Sequence, residues 1–138
     1  MPWLLYALAS ALFAALTAIL AKLGVEGVPS NFATALRTLV VLAFAWGIVF
    51  WTGEYRTFAT LSRRTLGYLV LSGVATGCSW LAYFRALQLG PANRVAPVDK
   101  LSLPLTILLA ALVLREAVSW RVIAGVALMV VGALLTMS

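Results

Sequence analysis

The sequence predicts an all-α integral membrane protein with five transmembrane helices. Three observations predict this class: the apolar composition, the length and spacing of the apolar segments, and the basic residues between those segments. Of the 138 residues, 64% are hydrophobic and 10% are charged, whereas soluble domains average about 25% charged residues. Too few polar residues remain to cover a soluble domain, so lipid must form much of the protein's surroundings.

Five apolar segments are long enough to cross a hydrocarbon core, which takes about 20 residues of helix. Turn-forming stretches separate them, for example Gly-Pro-Ala-Asn at residues 90–93. Each segment is predicted to be a helix, because backbone polar groups in lipid must be satisfied within their own segment. We expect one membrane domain over residues 1–138, without a linker. The predicted spans are residues 3–23, 32–51, 66–87, 95–114 and 120–137.

The net charge of +6 does not indicate nucleic-acid binding, which clusters Lys and Arg on one face with aromatic residues. Here the arginines fall between apolar segments, as in the loops of membrane proteins. Five basic residues belong to one side of the predicted topology and three to the other. Because cytoplasmic loops carry the basic excess, the N-terminus is predicted to be cytoplasmic, in the inner membrane. The bias is small, so dual orientation stays open.

The residue content gives no basis for catalysis or for a metal site. The chain has no histidine, a single cysteine, Cys78, and no paired carboxylates. Those groups supply most acid–base and nucleophilic chemistry and most metal ligands. We therefore predict that the protein is not an enzyme and that it needs no metal or cofactor.

The octet Pro-Val-Asp-Lys-Leu-Ser-Leu-Pro, residues 97–104, places charges where the fourth predicted span begins. Pro97 is expected in the first helical turn, where its missing N–H costs little. Pro104 is expected to leave the carbonyl of Lys100 without its helical donor. Interrupted helices at membrane depth line protein or a wet cavity, and in transporters they form substrate sites.

We therefore predict that Asp99, Lys100, Ser102 and Pro104 belong to a binding site. Two local explanations stay open. Asp99 could complement the positive end of the helix dipole, and Lys100 could extend its ammonium group to the interface. Asp99 is the only acidic residue within a predicted span, so it is the carboxylate available for proton coupling.

Polar residues of the second and third spans are predicted to face the same interior. Tyr83 continues a one-face series in the third span, and Arg37 lies within the second. Arg37 and Lys100 would give the interior a net positive charge, which favours an anionic or zwitterionic solute. The alternative for the Ser and Thr members of these series is a hydrogen bond to a carbonyl of their own helix. The third-span series is Ser72, Thr76, Ser79 and Tyr83.

Two glycines of the last span, Gly125 and Gly132, lie seven residues apart and therefore on one helix face. Small residues let helix backbones approach closely in membranes. The pair predicts either ordinary helix contacts within the chain or a packing face between two protomers.

Residues 81–135 resemble the second half of an EamA-type domain of the drug/metabolite transporter superfamily. The shared features include the turn at residues 90–92, Pro104, Glu116 and the two glycines of the last span, and Arg37 in "ALRTLVVL" also matches. Two positions depart from the family pattern. Arg115 replaces the usual glycine before the Glu, and many members are apolar at Asp99 and Lys100.

The resemblance implies a secondary transporter that exports a small metabolite or drug across the lipid bilayer. Members typically carry two such domains in tandem, related as inverted repeats, so this chain would be half of that fold. A homodimer is expected, antiparallel or parallel, although pairing with a different half stays open. The alternatives are a small-multidrug-type exporter, which usually relies on a glutamate absent from this first span, and a lipid-carrier flippase subunit. A purely structural membrane protein would leave the charges within the spans unexplained.

Overall fold

The computed structural model describes residues 2–137, and the regular structure over these residues is entirely helical. A 3₁₀ helix, Glu54–Thr60, follows the second α-helix, and a π-helical turn, Ala110–Leu114, follows the fifth. The α-helices are α1 Pro2–Gly24, α2 Ser30–Thr52, α3 Arg63–Leu89, α4 Ala92–Asp99, α5 Ser102–Leu109 and α6 Trp120–Leu135.

Within residues 2–137, four segments are long and apolar enough to cross a membrane. They are α1, α2, α3 and the stretch Ala92–Leu114, which contains α4, α5 and the π-helical turn. These segments match the first four predicted spans and extend them by up to three residues at an end. The apolar runs therefore located the long helices, while the turn residues set their boundaries.

The last apolar segment forms a shorter helix than predicted. α6 starts after Ser119, whose hydroxyl oxygen accepts the Val122 N–H at 3.4 Å. Its 16 residues rise about 24 Å, less than the roughly 30 Å of a hydrocarbon core. A fifth transmembrane helix therefore stays a prediction.

The fourth apolar segment is broken at Lys100 and Leu101, and the break corrects the roles predicted for two prolines. α4 begins at Ala92, directly after Pro91, rather than at residue 95, so Pro97 is its sixth residue and not part of a first turn. Pro104 lies instead in the first turn of α5, where its missing N–H costs little. The helix starts earlier than predicted because Pro91 caps it.

The chain comprises two compact units. One is Leu20–Gln88, and the other combines the chain up to Ile19 with the chain from Leu89 onward. In the Leu20–Gln88 unit, the buried residues lie at the end of α1 and just beyond it, the start of α2 and the end of α3. They are Ala21, Val25, Ser30, Thr34, Phe84 and Leu87. In the other unit, α6 packs against α4 and α5.

Most large apolar side chains of the helices are exposed. Trp51 is 92% exposed and Leu128 is 74% exposed, and the most apolar 18-residue stretch of α3 contains no buried residue. Soluble monomers rarely expose contiguous apolar patches above a few hundred Å². Lipid or another protein chain must therefore cover these helices.

The turn before α6 requires left-handed backbone at Arg115. Its φ of 57° and ψ of 33° make it the one non-glycine residue with positive φ among residues 2–137. The next amide, that of Glu116, donates to the Ala110 carbonyl at 3.2 Å. Glycine adopts this conformation without strain, which fits the glycine of the resembled family pattern, and nothing in the structure explains the arginine found here.

Candidate functional site

Arg37 lies within α2 and contacts two aromatic rings of α3. It follows Ser30, the first residue of α2, by seven positions, which is about 10 Å along the helix. Its guanidinium carbon lies 4.2 Å from the centroid of the Trp80 ring and 5.3 Å from that of Phe84. Both distances are within the roughly 6 Å at which an aromatic face attracts a cation. Trp80 and Phe84 are four residues apart and therefore share one face of α3.

One nitrogen of the Arg37 side chain has no hydrogen-bond partner. Nη1 is buried, and no described residue accepts its hydrogens. A buried donor without an acceptor costs about 1–3 kcal/mol, and more when it is charged. The aromatic faces attract the positive charge, but they supply no oxygen acceptor for Nη1. The local environment therefore holds the cation and leaves part of its hydrogen-bonding capacity unused.

Tyr83 belongs to the same cluster. Its ring packs edge-on against that of Phe84, with centroids 6.4 Å apart and planes at 69°. Tyr83 is half-buried, and its ring and the Arg37 guanidinium both contact the Phe84 ring. The structure thus brings together two residues that the sequence placed on separate spans. We call Arg37, Trp80, Tyr83 and Phe84 the Arg37 cluster.

Polar periodicity in the sequence did not predict Trp80 and Phe84, because both residues are aromatic and lie outside the polar series of the third span. The available signal was an aromatic pair with a spacing of four residues in one span and a lone arginine within another. Aromatic residues at that spacing are common in helices, so the signal becomes specific only once the Arg37 side chain is seen to reach them.

The other cations near this end of the unit bond to protein oxygens. Lys22 Nζ donates to the Leu87 carbonyl at 2.7 Å, and Arg85 Nη1 donates to the side-chain oxygen of Gln88 at 2.7 Å. Gln88 in turn donates to the Val28 carbonyl at 2.8 Å. These bonds tie the α1–α2 connection to the end of α3, so Lys22 and Arg85 have structural roles that Arg37 lacks.

In the other unit, Asp99 and Lys100 pair with each other at the helix break. The Lys100 ammonium lies 3.3 Å from a carboxylate oxygen of Asp99, and the side chains are 58% and 35% exposed, respectively. Asp99 follows Ala92 by seven residues, about 10 Å along the segment. The pair therefore lies farther from the start of its segment than the sequence predicted, because α4 begins at Ala92.

The prediction that the Lys100 carbonyl oxygen lacks a hydrogen-bond donor is wrong. That oxygen accepts the N–H of Leu103 at 3.0 Å, because the chain closes a tight turn at the break instead of continuing a regular helix. The polar groups that remain at the break are the two charged side chains and Ser102, which is exposed at the start of α5. Pro104 is half-buried two residues later.

Thr76, the threonine of the predicted third-span series, and three threonines of other helices bond to carbonyls of their own helices. Thr34 donates to the Ser30 carbonyl at 2.8 Å, and Thr76 donates to that of Ser72 at 2.9 Å. Thr38 and Thr106 make the same bond to the carbonyl four residues earlier. The local explanation is confirmed for these threonines, so the series do not by themselves mark a wet interior.

The two glycines of α6 face open space. A side-chain carbon added at Gly125 or Gly132 would meet no neighbouring atom within 4 Å. Their smallness is therefore not required by a contact that the described chain makes.

The residues predicted to line a transport path divide between the two units. Arg37 and Tyr83 belong to Leu20–Gln88, whereas Asp99, Lys100, Ser102 and Pro104 belong to the other unit. Across the described residues, no three His, Cys, Asp or Glu side chains group as metal ligands would.

Comparison with known proteins gives one family and one close relative. The model of a family described as "EamA-like transporter family" matches residues 1–138. A protein of Sinorhizobium sp. named "Uncharacterized transporter in cobO 3'region" is 50% identical over 133 residues, covering 96% of this chain and 94% of that protein. No solved structure matches the chain.

Proposed function

Because the chain belongs to the EamA-like transporter family, we propose that it is a secondary active transporter exporting a small metabolite or drug. In this proposal residues 1–138 form one five-span membrane domain, which is half of an inverted-repeat fold. Two halves work together by alternating access in the inner membrane, and the N-terminus is cytoplasmic. No enzymatic step and no cofactor is involved.

The observation that carries this proposal is the broken fourth segment. Lys100 and Leu101 interrupt an otherwise apolar stretch, Ala92–Leu114, and Asp99 and Lys100 place charges at the break. A charge within a hydrocarbon core costs about 2.5–3.5 kcal/mol on insertion scales. Helix breaks with charged groups recur where transporters bind substrates and ions. Arg37, Tyr83, Asp99, Lys100, Ser102 and Pro104 are proposed to line that path.

The proposed dimer is supported by the exposure of the apolar helices. Side chains such as Leu128 lie open on α6, and the face with Gly125 and Gly132 has room for a second backbone. Labelling of both termini by single cysteines in a Cys78→Ser background would test the geometry. Both termini labelled from both sides would favour an antiparallel homodimer, and one fixed orientation would exclude it.

Transport itself can be tested with purified chain in liposomes. Candidate solutes are those that accumulate more in the medium of cells expressing the protein than in that of cells expressing an Arg37→Gln variant. Each candidate would then be tested for flux in the liposomes. The proposal predicts saturable solute flux without a partner protein. Movement of labelled lipid without solute flux would favour the flippase alternative and contradict the proposal.

A further inference from the structure

We propose that Arg37 binds an oxyanion of the transported solute, a carboxylate above all, through its unpartnered Nη1. This inference rests on the proposed transport function and adds the chemical class of the solute. The inference starts from the buried Nη1, which has no acceptor among the described residues. The rest of the guanidinium group is held by the rings of Trp80 and Phe84.

The structure shows no ion pair between Arg37 and an acidic residue of the Leu20–Gln88 unit. The acidic residues of its unit, Glu26 and Glu54, lie outside α2 and α3. The ion pair that Asp99 forms with Lys100 belongs to the other unit. The guanidinium contacts the rings of Trp80 and Phe84, so its own unit leaves its positive charge without a paired anion.

The aromatic contacts hold the guanidinium in a restricted orientation, which favours binding of such an anion. Trp80 and Phe84 hold the cation at 4.2 and 5.3 Å, which restricts a side chain that otherwise has many rotamers. Arg is planar and presents N–H donors in a fixed fork that matches the two oxygens of a carboxylate. Charge-assisted hydrogen bonds are stronger than neutral ones. They strengthen further where water is excluded, because the local dielectric constant is lower.

Two sources of oxyanion have this chemistry, a soluble solute and the phosphate of a lipid head group. Arg37 is seven residues inside α2, about 10 Å from the helix start. Lipid phosphates lie in the head-group region at the membrane surface. The placement therefore favours the soluble solute, and the experiment below separates the two sources.

Binding to the purified, full-length protein in detergent tests the inference independently of transport. The probes are matched pairs that differ in charge: lactate with lactamide and phenylacetate with phenylacetamide, together with sulfate and inorganic phosphate. The readouts are thermal unfolding and equilibrium affinity for wild type, Arg37→Gln and Arg37→Lys. Arg56→Gln is the matched control, because Arg56 is exposed and lies 5.9 Å from the Tyr55 ring.

We expect at least one carboxylate to bind saturably to wild type and Arg56→Gln, while its amide does not bind. Arg37→Gln should lose about tenfold or more in affinity, as the loss of a charged hydrogen-bond partner does. Arg37→Lys should keep part of the affinity, since it retains the charge but not the fork. Equal binding of acid and amide, no binding of any oxyanion, or full affinity in Arg37→Gln would overturn the proposal.

A measurement on wild type alone removes the risk that a variant misfolds. Phenylglyoxal modifies arginine side chains, and mass spectrometry locates the adducts. The bound carboxylate should slow modification of Arg37 and leave that of Arg56 unchanged. Equal protection of both residues, or of neither, would count against the site.

Further outcomes of the binding and flux experiments distinguish a lipid phosphate from a soluble anion, and failure of the anion site from failure of the transport proposal. Stabilisation by phosphatidylglycerol, but by no soluble oxyanion, would assign Nη1 to a head group and overturn the inference. If carboxylates bind at Arg37 but do not cross liposomes, the anion site stands and the transport proposal fails. If flux occurs but is insensitive to Arg37→Gln, the transport proposal stands and the anion site fails.

Discussion

The Arg37 cluster and the Asp99–Lys100 pair hold charge within apolar segments in two different ways. Arg37 and Asp99 each follow the first residue of their segment by seven positions. Asp99 has a neighbour of opposite charge at 3.3 Å. Arg37 contacts two aromatic rings, and its buried Nη1 has no acceptor among the described residues.

The difference separates two functions for charge in a membrane segment. A sequence-adjacent pair largely neutralises itself, and its location at a helix break suits it to a moving or coupling element. A lone cation held by rings keeps its charge and hydrogen-bonding capacity for a ligand. Of the two regions, the Arg37 cluster is therefore the better candidate for solute recognition.

The largest expected effect is that of Arg37→Gln on solute flux in liposomes. Removing the charge should lower flux of the identified solute about tenfold or more, whereas Arg37→Lys should retain part of it. Arg56→Gln should behave as wild type. Flux in Arg37→Gln equal to that of wild type, with both proteins eluting alike in gel filtration, would place recognition elsewhere.

Asp99→Asn should have a narrower effect. If transport is coupled to protons, the variant loses accumulation driven by a pH gradient, because the carboxylate that carries the proton is gone. Exchange of labelled for unlabelled solute should continue, since Arg37 is intact. Glu116→Gln, at an acid outside the described helices, is the control. An unaltered pH dependence of flux in Asp99→Asn would refute its coupling role.

Trp80→Leu should weaken the Arg37 cluster without removing its charge. The lost cation–π contact is worth about 0.5–2 kcal/mol, so both thermal stability and oxyanion affinity should fall. Trp80→Phe keeps an aromatic face and should fall less. In an Arg37→Gln background, the cation–π part of the Trp80→Leu penalty should vanish. An undiminished penalty there would show that Trp80 acts through packing alone.

The smallest effect is expected at the turn before α6, away from either charged region. Arg115→Gly should raise the free energy of unfolding in detergent by up to about 1 kcal/mol, because glycine adopts positive φ without strain. Arg115→Ala removes the same charge but keeps a Cβ, so it should give no such gain. Equal stability changes in the two variants would attribute the effect to charge instead of to backbone conformation.

The sequence was sufficient for the long helices, because about 20 apolar residues in lipid leave the backbone little choice. The sequence was less informative about helix boundaries and breaks, which depend on single residues. Pro91 caps α4, which begins three residues before the predicted start of the span, and this shift reversed the roles of Pro97 and Pro104. The turn at Lys100 then paired a carbonyl that a continuous helix would have left vacant.

The Arg37 cluster shows a second limit. Periodicity identified Arg37 and Tyr83 as candidates, since it reports which face of a helix a residue occupies. It does not report which helix packs against that face, and so Trp80 and Phe84 went unnoticed. Whether the candidate residues of both units act together stays a prediction that the flux variants address.

The most direct test of the central claim is the distance between the Arg37 side chain and a bound carboxylate carbon. Rotational-echo solid-state NMR would measure it with ¹⁵N-arginine protein in liposomes and the ¹³C-carboxylate form of the tightest-binding acid. A bond of about 2.8 Å from nitrogen to oxygen predicts strong dephasing, at a separation below about 4 Å, that is lost in Arg37→Lys. Dephasing that persists in Arg37→Lys, or none in wild type at saturating acid, would contradict the claim.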